Sequence, residues 1–408
     1  MPDVSFNNLA VVLAAAFVAP LALGMLPRVR VPSVVVEIVL GIVIGPSVLG
    51  WAETDEVVEV LALVGLAFLL FLGGLELDLR RLRGPLARRA GTGFGLSLAL
   101  AAACGLGLAT AGLIDDPLLA AVMLTATSLG LVVPTLKAAD QAGTALGQLV
   151  IAGASIADFA AILLLSALFS MDGTGPGAKL VLLAEFTLVV ALAGLFIGAS
   201  SRSSRLAALL VRLQDTTAEI RVRGAVLLLV VLVVLAEHFG LETILGAFIA
   251  GALVGYVDRD AAMTHPHFRL KLEAIGYGFV IPVFFVASGL TFDLPALLDE
   301  PATLALVPVF LAALVVARGV PALAYRRLTG DRGVVVAGLL QATSLPFIVT
   351  ASQIGVAIGA LDASTAAAFV AAGLASALTF PTLALSVLQR RPGAEPDLEP
   401  AKREVVEW

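Results

Sequence analysis

Cysteine, histidine and charge are all scarce in this sequence. Its 408 residues include a single cysteine, Cys104, and three histidines. One cysteine cannot close an internal disulfide, and without companion ligands it reads as buried filler in an Ala/Gly/Leu run. His238, beside Glu237, and the loop pair His265 and His267 show no metal-ligand spacing either, so no metal is expected. Charged residues make up 14% of the chain, with a net charge of -6 and a pI near 5.2. The basic face that nucleic acid requires is missing, which argues against a nucleic-acid partner. Also missing are a phosphate-binding glycine loop, a nucleophile elbow and a zinc motif, so neither an enzyme nor ATP-driven transport by this chain alone is expected.

What fills the sequence is apolar. Hydrophobic residues account for 60% of it and mean hydropathy is +1.04, too apolar for an ordinary water-soluble domain. Lipid cannot satisfy unpaired backbone groups, so repeated apolar blocks of about 20 residues are expected to be membrane-spanning helices. The first block lacks a basic leader region and a small-residue cleavage site, and is expected to be a retained span. Thirteen spans are predicted, at 7–26, 31–50, 57–75, 88–112, 117–136, 147–170, 179–199, 222–239, 241–257, 273–292, 302–325, 333–359 and 363–388.

Charge placement supports that count. Connections after odd-numbered spans, with the C-terminal tail, receive all but two of the 25 Lys and Arg residues; the exceptions are Lys179 and Arg318. Basic loops stay cytoplasmic, which places the N-terminus outside and the C-terminus inside. Internal repetition follows the same frame. EIVLGIVIGPSVLG from Glu37 matches ETILGAFIAGALVG from Glu242, GLELDL ending at Leu79 matches GLTFDL ending at Leu294, and ATSL occurs at Ala126 and again at Ala342. These pairs relate spans 1–6 to spans 8–13. Seven spans separate each pair, so the expected fold is an all-α polytopic membrane protein built from two inverted six-helix repeats, a plan that puts a substrate site near mid-membrane.

Polar residues inside the spans locate that site. Span 5 reads LTATSLGLVVPTLK, with Thr125, Thr127 and Ser128 ahead of Pro134, and span 12 reads LLQATSLPFIVTASQ, with Ser344 ahead of Pro346. Proline removes a backbone donor and crowds the preceding turn, so both helices should break, the first near Thr127 to Gly130. Two broken helices facing each other would offer opposed dipole ends and free carbonyls to a small ion. Asp158 stands near the middle of span 6, where an ionisable group marks a functional site. Ser155, one turn earlier, could help ligate what Asp158 holds. Arg318 is the one basic residue deep in a span, and Asp158 is the one carboxylate at comparable depth, which makes them expected neighbours. Competition of a proton and a cation for one carboxylate would couple their fluxes. Glu37 and Glu76, near cytoplasmic span ends, could form an entrance funnel or be ordinary solvated termini.

VPSVVVEIVLGIVIGPSVLG, LGAFIAGALVG, PVFFVASGLTFDL, TATS and ASIADFAAI together resemble the monovalent cation/proton antiporter superfamily. The closer similarity is to its second branch, which contains bacterial sodium/proton and Kef-type potassium/proton exchangers. The resemblance implies a homodimer in lipid, a transmembrane antiporter domain over residues 1–392 and a short cytoplasmic tail, 393–408. Spans 1–3 and 8–10 would form a dimerisation scaffold, and spans 4–6 and 11–13 a mobile core that carries the ion as an elevator. Asp158 matches the ion-binding, proton-exchanging aspartate, Arg318 the compensating basic residue, and Thr127, Ser128 and Ser344 fall at the crossed breaks. No cofactor is implied, only transported Na+ or K+ and H+. Ala157 occupies the position where the family usually has Asp, Asn or Gln; a single carboxylate there predicts electroneutral one-for-one exchange. Kef-type nucleotide-dependent regulation would need a separate subunit. The expected setting is a bacterial inner membrane. A carrier of an organic solute on the same fold and a K+ efflux channel are the rival readings, the channel being disfavoured by the lack of a TVGYG-like filter.

Overall fold

The computed structural model describes residues 6–25, 31–76, 85–169, 181–182, 185–186, 188, 219–258 and 266–389, and every regular element among them is helical. The helices are α1 (Asn7–Met25), α2 (Ser33–Ile44), α3 (Glu56–Glu76), α4 (Pro85–Thr110), α5 (Pro117–Thr125), α6 (Leu129–Ala138), α7 (Ala145–Phe169), α8 (Ile220–His238), α9 (Thr243–Asp258), α10 (Pro266–Ile275), α11 (Ile281–Leu290), α12 (Leu294–Leu298), α13 (Pro301–Leu314), α14 (Arg326–Ala342), α15 (Pro346–Ala357) and α16 (Ala363–Gln389). Among the described residues, eight stretches are long and apolar enough to cross a membrane, and Ser33–Ile44 and Thr243–Tyr256 are shorter apolar helices. The chain is a polytopic membrane protein. Helices lie where spans 1–6 and 8–13 were drawn; span 7, His265, residues 77–79 of the GLELDL match and the tail 393–408 fall outside the described residues, apart from a few positions between 181 and 188.

Two spans contain a device that periodicity does not announce. A π-helical turn, Gly276–Val280, joins α10 to α11, and another, Val315–Gly319, follows α13 and carries Arg318. Such turns concentrate at functional sites because one extra residue re-aims the side chains around it. A six-residue 3-10 segment, Val320–Tyr325, leads on from the second. The chain then kinks at Gly330, inside α14, whose φ of 66° is open to glycine at little cost.

Helix packing falls into two groups. In one, α3 packs on α9 and α11, α2 on α11 and α1, and α8 on α9. Backbones meet closely here: Gly41 lies against Gly289, and a Cβ on Gly251 would run into the Phe71 carbonyl. In lipid, association rests on close packing rather than on expulsion of water, so small residues at these crossings permit the contact that holds the group together. In the other group, α4 packs on α5, α7 and the Arg318 turn, while α16 packs on α13, α14 and α15. The groups touch where Phe159 of α7 stacks on Phe248 of α9, with ring centroids 5.7 Å apart.

Asp362, in the turn before α16, caps that helix. Its Oδ1 accepts the Thr365 N–H at 2.7 Å and its Oδ2 the Thr365 hydroxyl at 2.8 Å. Partial burial acts to raise this carboxyl's pKa, but hydrogen bonds from Ser364 and Thr365 outweigh it and hold the group below its usual range. A depressed folded pKa stabilises the fold above the unfolded value, about 3.9, and that contribution is lost as pH falls through the folded value. Asp362→Ala should therefore cost about 1 kcal/mol at neutral pH. The gap from wild type should close in strong acid, as thermal unfolding of the solubilised protein at both pH values will show.

Candidate functional site

The site is built where two interrupted helices touch. α5 ends at Thr125, and the chain runs extended through Ala126 (ψ 153°) and Ser128 (ψ 93°) before α6 begins at Leu129. The second interruption, Thr343 to Leu345, separates α14 from α15. Pro346 stands in the first turn of α15, where its missing N–H costs nothing. Pro134 behaves differently: it lies inside α6, six residues beyond Ser128, and cannot donate to the carbonyl of Gly130 one turn back. The first break thus overlaps the expected stretch but begins one residue earlier and ends at Ser128, and Asp158 helps to satisfy its backbone.

Asp158 projects from α7 onto that break. Its Oδ1 accepts the Thr127 N–H and its Oδ2 the Leu129 N–H, each at 3.2 Å. Leu129 opens α6, so the carboxylate sits at a helix N-terminus, where unpaired amides and the helix dipole favour an anionic group. The two breaks are tied together: the Ser128 N–H donates to the Thr343 carbonyl at 2.8 Å, and the Thr127 hydroxyl donates to the Gln341 carbonyl at 2.6 Å.

Arg318 reaches this centre indirectly. Its Nε and Nη2 donate to the Thr127 hydroxyl at 2.9 and 2.6 Å, and its Nη1 donates to Ser97 at 3.0 Å. Ser97 in turn donates to the Ala317 carbonyl at 2.7 Å. The guanidinium is buried, 1% exposed, and lies 5.9 Å from the centre of the Phe94 ring. Among the described residues, every side-chain hydrogen bond of Arg318 ends on Thr127 or Ser97. Thr127 is therefore the link, holding Asp158 through its amide and Arg318 through its hydroxyl.

Asp158, Thr127, Ser128 and Gly130 line a cavity of about 70 Å³ together with Glu76 of α3 and Tyr277 of the first π turn. Glu76 therefore faces the same space as Asp158, and Arg269 lies 3.8 Å from it. Glu37 does not line this cavity; it is buried in α2. Ser155 and Ser344 are buried but likewise absent from the wall. Among the described residues, Ser344 Oγ has no hydrogen-bond partner. Ser97, Gln341, Ser376 and Tyr277 were not singled out from the sequence. Gln341, a polar residue directly before ATSL, carried a readable signal, whereas single serines in small-residue helices carry none.

A larger cavity, about 510 Å³, opens along the same seam at the other end of α3. Its α3 wall runs from Glu59 to Leu66, whereas the α3 wall of the Asp158 cavity runs from Leu69 to Glu76.

Residues 13–389 match the family model described as sodium/hydrogen exchanger, transmembrane. YjbQ of Bacillus subtilis is 29% identical over 396 residues; the match covers 93% of this chain, which spans 63% of the length of YjbQ. GerN of Bacillus cereus, a Na(+)/H(+)-K(+) antiporter, is 28% identical over 272 residues, covering 65% of this chain and 67% of GerN. Among solved structures, the sodium proton antiporter MjNhaP1 of Methanocaldococcus jannaschii superimposes with a TM-score of 0.64 at 15% identity, covering 94% of this chain and 98% of that one. At that identity the likeness shows the fold.

Proposed function

Because the chain belongs to the sodium/hydrogen exchanger family, a family of transporters rather than enzymes, we propose that it exchanges a monovalent cation, Na+ or K+, for H+ across a bacterial inner membrane. The observation that carries the reading is Asp158 itself, a carboxylate held by two backbone amides at a helix break, with one face on a cavity. Such a group binds a proton or a cation but not both at full occupancy, and that competition is the coupling. Glu76 shares the cavity and is the natural approach to Asp158, its charge partly offset by Arg269.

Two cavities at opposite ends of one helix, with Asp158 on only one of them, fit alternating access. In this reading the group containing α4–α7 and α13–α16 moves as an elevator against a dimeric scaffold containing α1–α3 and α8–α11. Thirteen crossings, inverted repeats, and an N-terminus outside with the C-terminus inside complete the proposal. With Ala157 beside Asp158, one cation replaces one proton and exchange is electroneutral.

Purified protein in liposomes loaded with a pH-sensitive dye tests this. An imposed NaCl or KCl gradient should drive proton movement, and clamping the membrane potential should leave the rate unchanged. Silence toward every monovalent cation would overturn the reading in favour of an organic-solute carrier, and cation flux without proton counterflow would point to a channel.

A further inference from the structure

The second break has its own clamp, and it is not a carboxylate. Ser376 of α16 is fully buried. Its Oγ accepts the Ser344 N–H at 3.2 Å and lies within donating distance of the Ser344 carbonyl, 2.9 Å, and the Gly373 carbonyl, 2.8 Å. One hydroxyl thus holds the amide of the residue at the middle of the break and shares its one proton between that residue's carbonyl and the Gly373 carbonyl. At the first break the same task falls to Asp158, which stands 31 and 29 residues beyond the amides it binds, whereas Ser376 stands 32 residues beyond Ser344. Each broken helix is pinned by the helix that follows it, one by a carboxylate and one by a hydroxyl.

The clamp leaves Ser344 with its own Oγ, which is buried and has no partner among the described residues. Buried hydroxyls nearly always have one, so an orphan asks for an explanation. Its surroundings supply one. Ser344 follows Thr343, whose carbonyl takes the Ser128 N–H. Ser128 lines the Asp158 cavity, as do Pro346 and Phe347 just beyond Ser344. Ser344 stands two residues before the stretch beyond the second break that lines the cavity, and among the described residues its hydroxyl is the one in that break without a bond.

We propose that Ser376 is a positioning residue for cation binding: by holding the Ser344 backbone it keeps the Ser344 hydroxyl free and in place as a ligand. The proposal rests on the cation/proton reading and names the part of the second helix break that serves it. Ser376→Ala should raise the half-saturating NaCl or KCl concentration about five-fold, the worth of one hydrogen bond. Maximal rate and pH profile should stay near wild type, and Ser376→Thr, which keeps the hydroxyl, should restore the wild-type value. Hydrogen exchange at the Ser344 amide should quicken in the alanine variant. Unchanged half-saturation in Ser376→Ala would overturn the proposal, as would equal losses of maximal rate in both variants without a change in half-saturation. Wild-type vesicles that move no protons would instead overturn the exchange reading. The salt concentration needed to raise the melting temperature of the solubilised protein then compares the variants directly, and equal NaCl and KCl requirements would reject the role of Ser376.

Discussion

Asp158→Asn should reduce cation-driven proton movement in proteoliposomes to the background of empty vesicles while the protein still purifies as a folded species. Asparagine cannot release a proton at any accessible pH, and it brings no charge to a cation, so both halves of the exchange fail together. The substitution also has a local structural cost. Asp158 offers one oxygen each to the Thr127 and Leu129 amides, whereas an amide side chain offers one acceptor and one donor. One N–H of the break would then lack a partner, at a cost of about 1–3 kcal/mol. A fall in melting temperature is therefore expected with the loss of transport. Retained exchange in a correctly folded Asp158→Asn protein would remove Asp158 from the mechanism.

Arg318→Ala should cut the maximal exchange rate by at least about ten-fold, the lower end of what a hydrogen bond to a charged group is worth. The reason is positional. Three hydrogen bonds from the guanidinium fix Thr127 and Ser97, and the amide of Thr127 in turn orients Asp158. Without Arg318, the Thr127 hydroxyl keeps only its bond to the Gln341 carbonyl, and the break loses its buttress on one side. Lysine should rescue poorly, because a single ammonium cannot reproduce a fork that spans two hydroxyls. Thr127→Val should mimic Arg318→Ala, since both cut the same link. The check is the rate in vesicles at saturating salt, and wild-type rates in Arg318→Ala would show that the network is dispensable.

The parts of this site that could be read from sequence were those that violate the rules of a lipid environment. A carboxylate in an apolar run, an arginine deep in a span, and hydroxyls ahead of a proline are each costly unless they serve something. Asp158, Arg318, Thr127 and Ser128 were visible for that reason, and the structure brings all four together. Ser97 and Ser376 were not visible, because an isolated serine in a helix of small residues commonly bonds its own backbone and leaves no pattern. Ser155 shows the limit of helical spacing: three residues from Asp158 is about 60° around the axis, enough to leave it off the cavity wall. Glu37 shows the limit of charge as a guide, since its carboxylate is buried away from the cavity. The π turn around Arg318 has no sequence signature, yet it shapes the helix that delivers the guanidinium.

The spacing of the two cavities along α3 has an electrical consequence. Only the stretch from Leu66 to Leu69 lies between their α3 walls, about 4.5 Å at a helical rise of 1.5 Å per residue. Were both chambers conductive, the membrane voltage would drop mainly across that layer rather than across the full hydrocarbon thickness of about 30 Å. Bound charge would then cross the whole field by moving roughly one helical turn, so a short stroke would suffice. A neutral load on Asp158 would make that stroke indifferent to voltage.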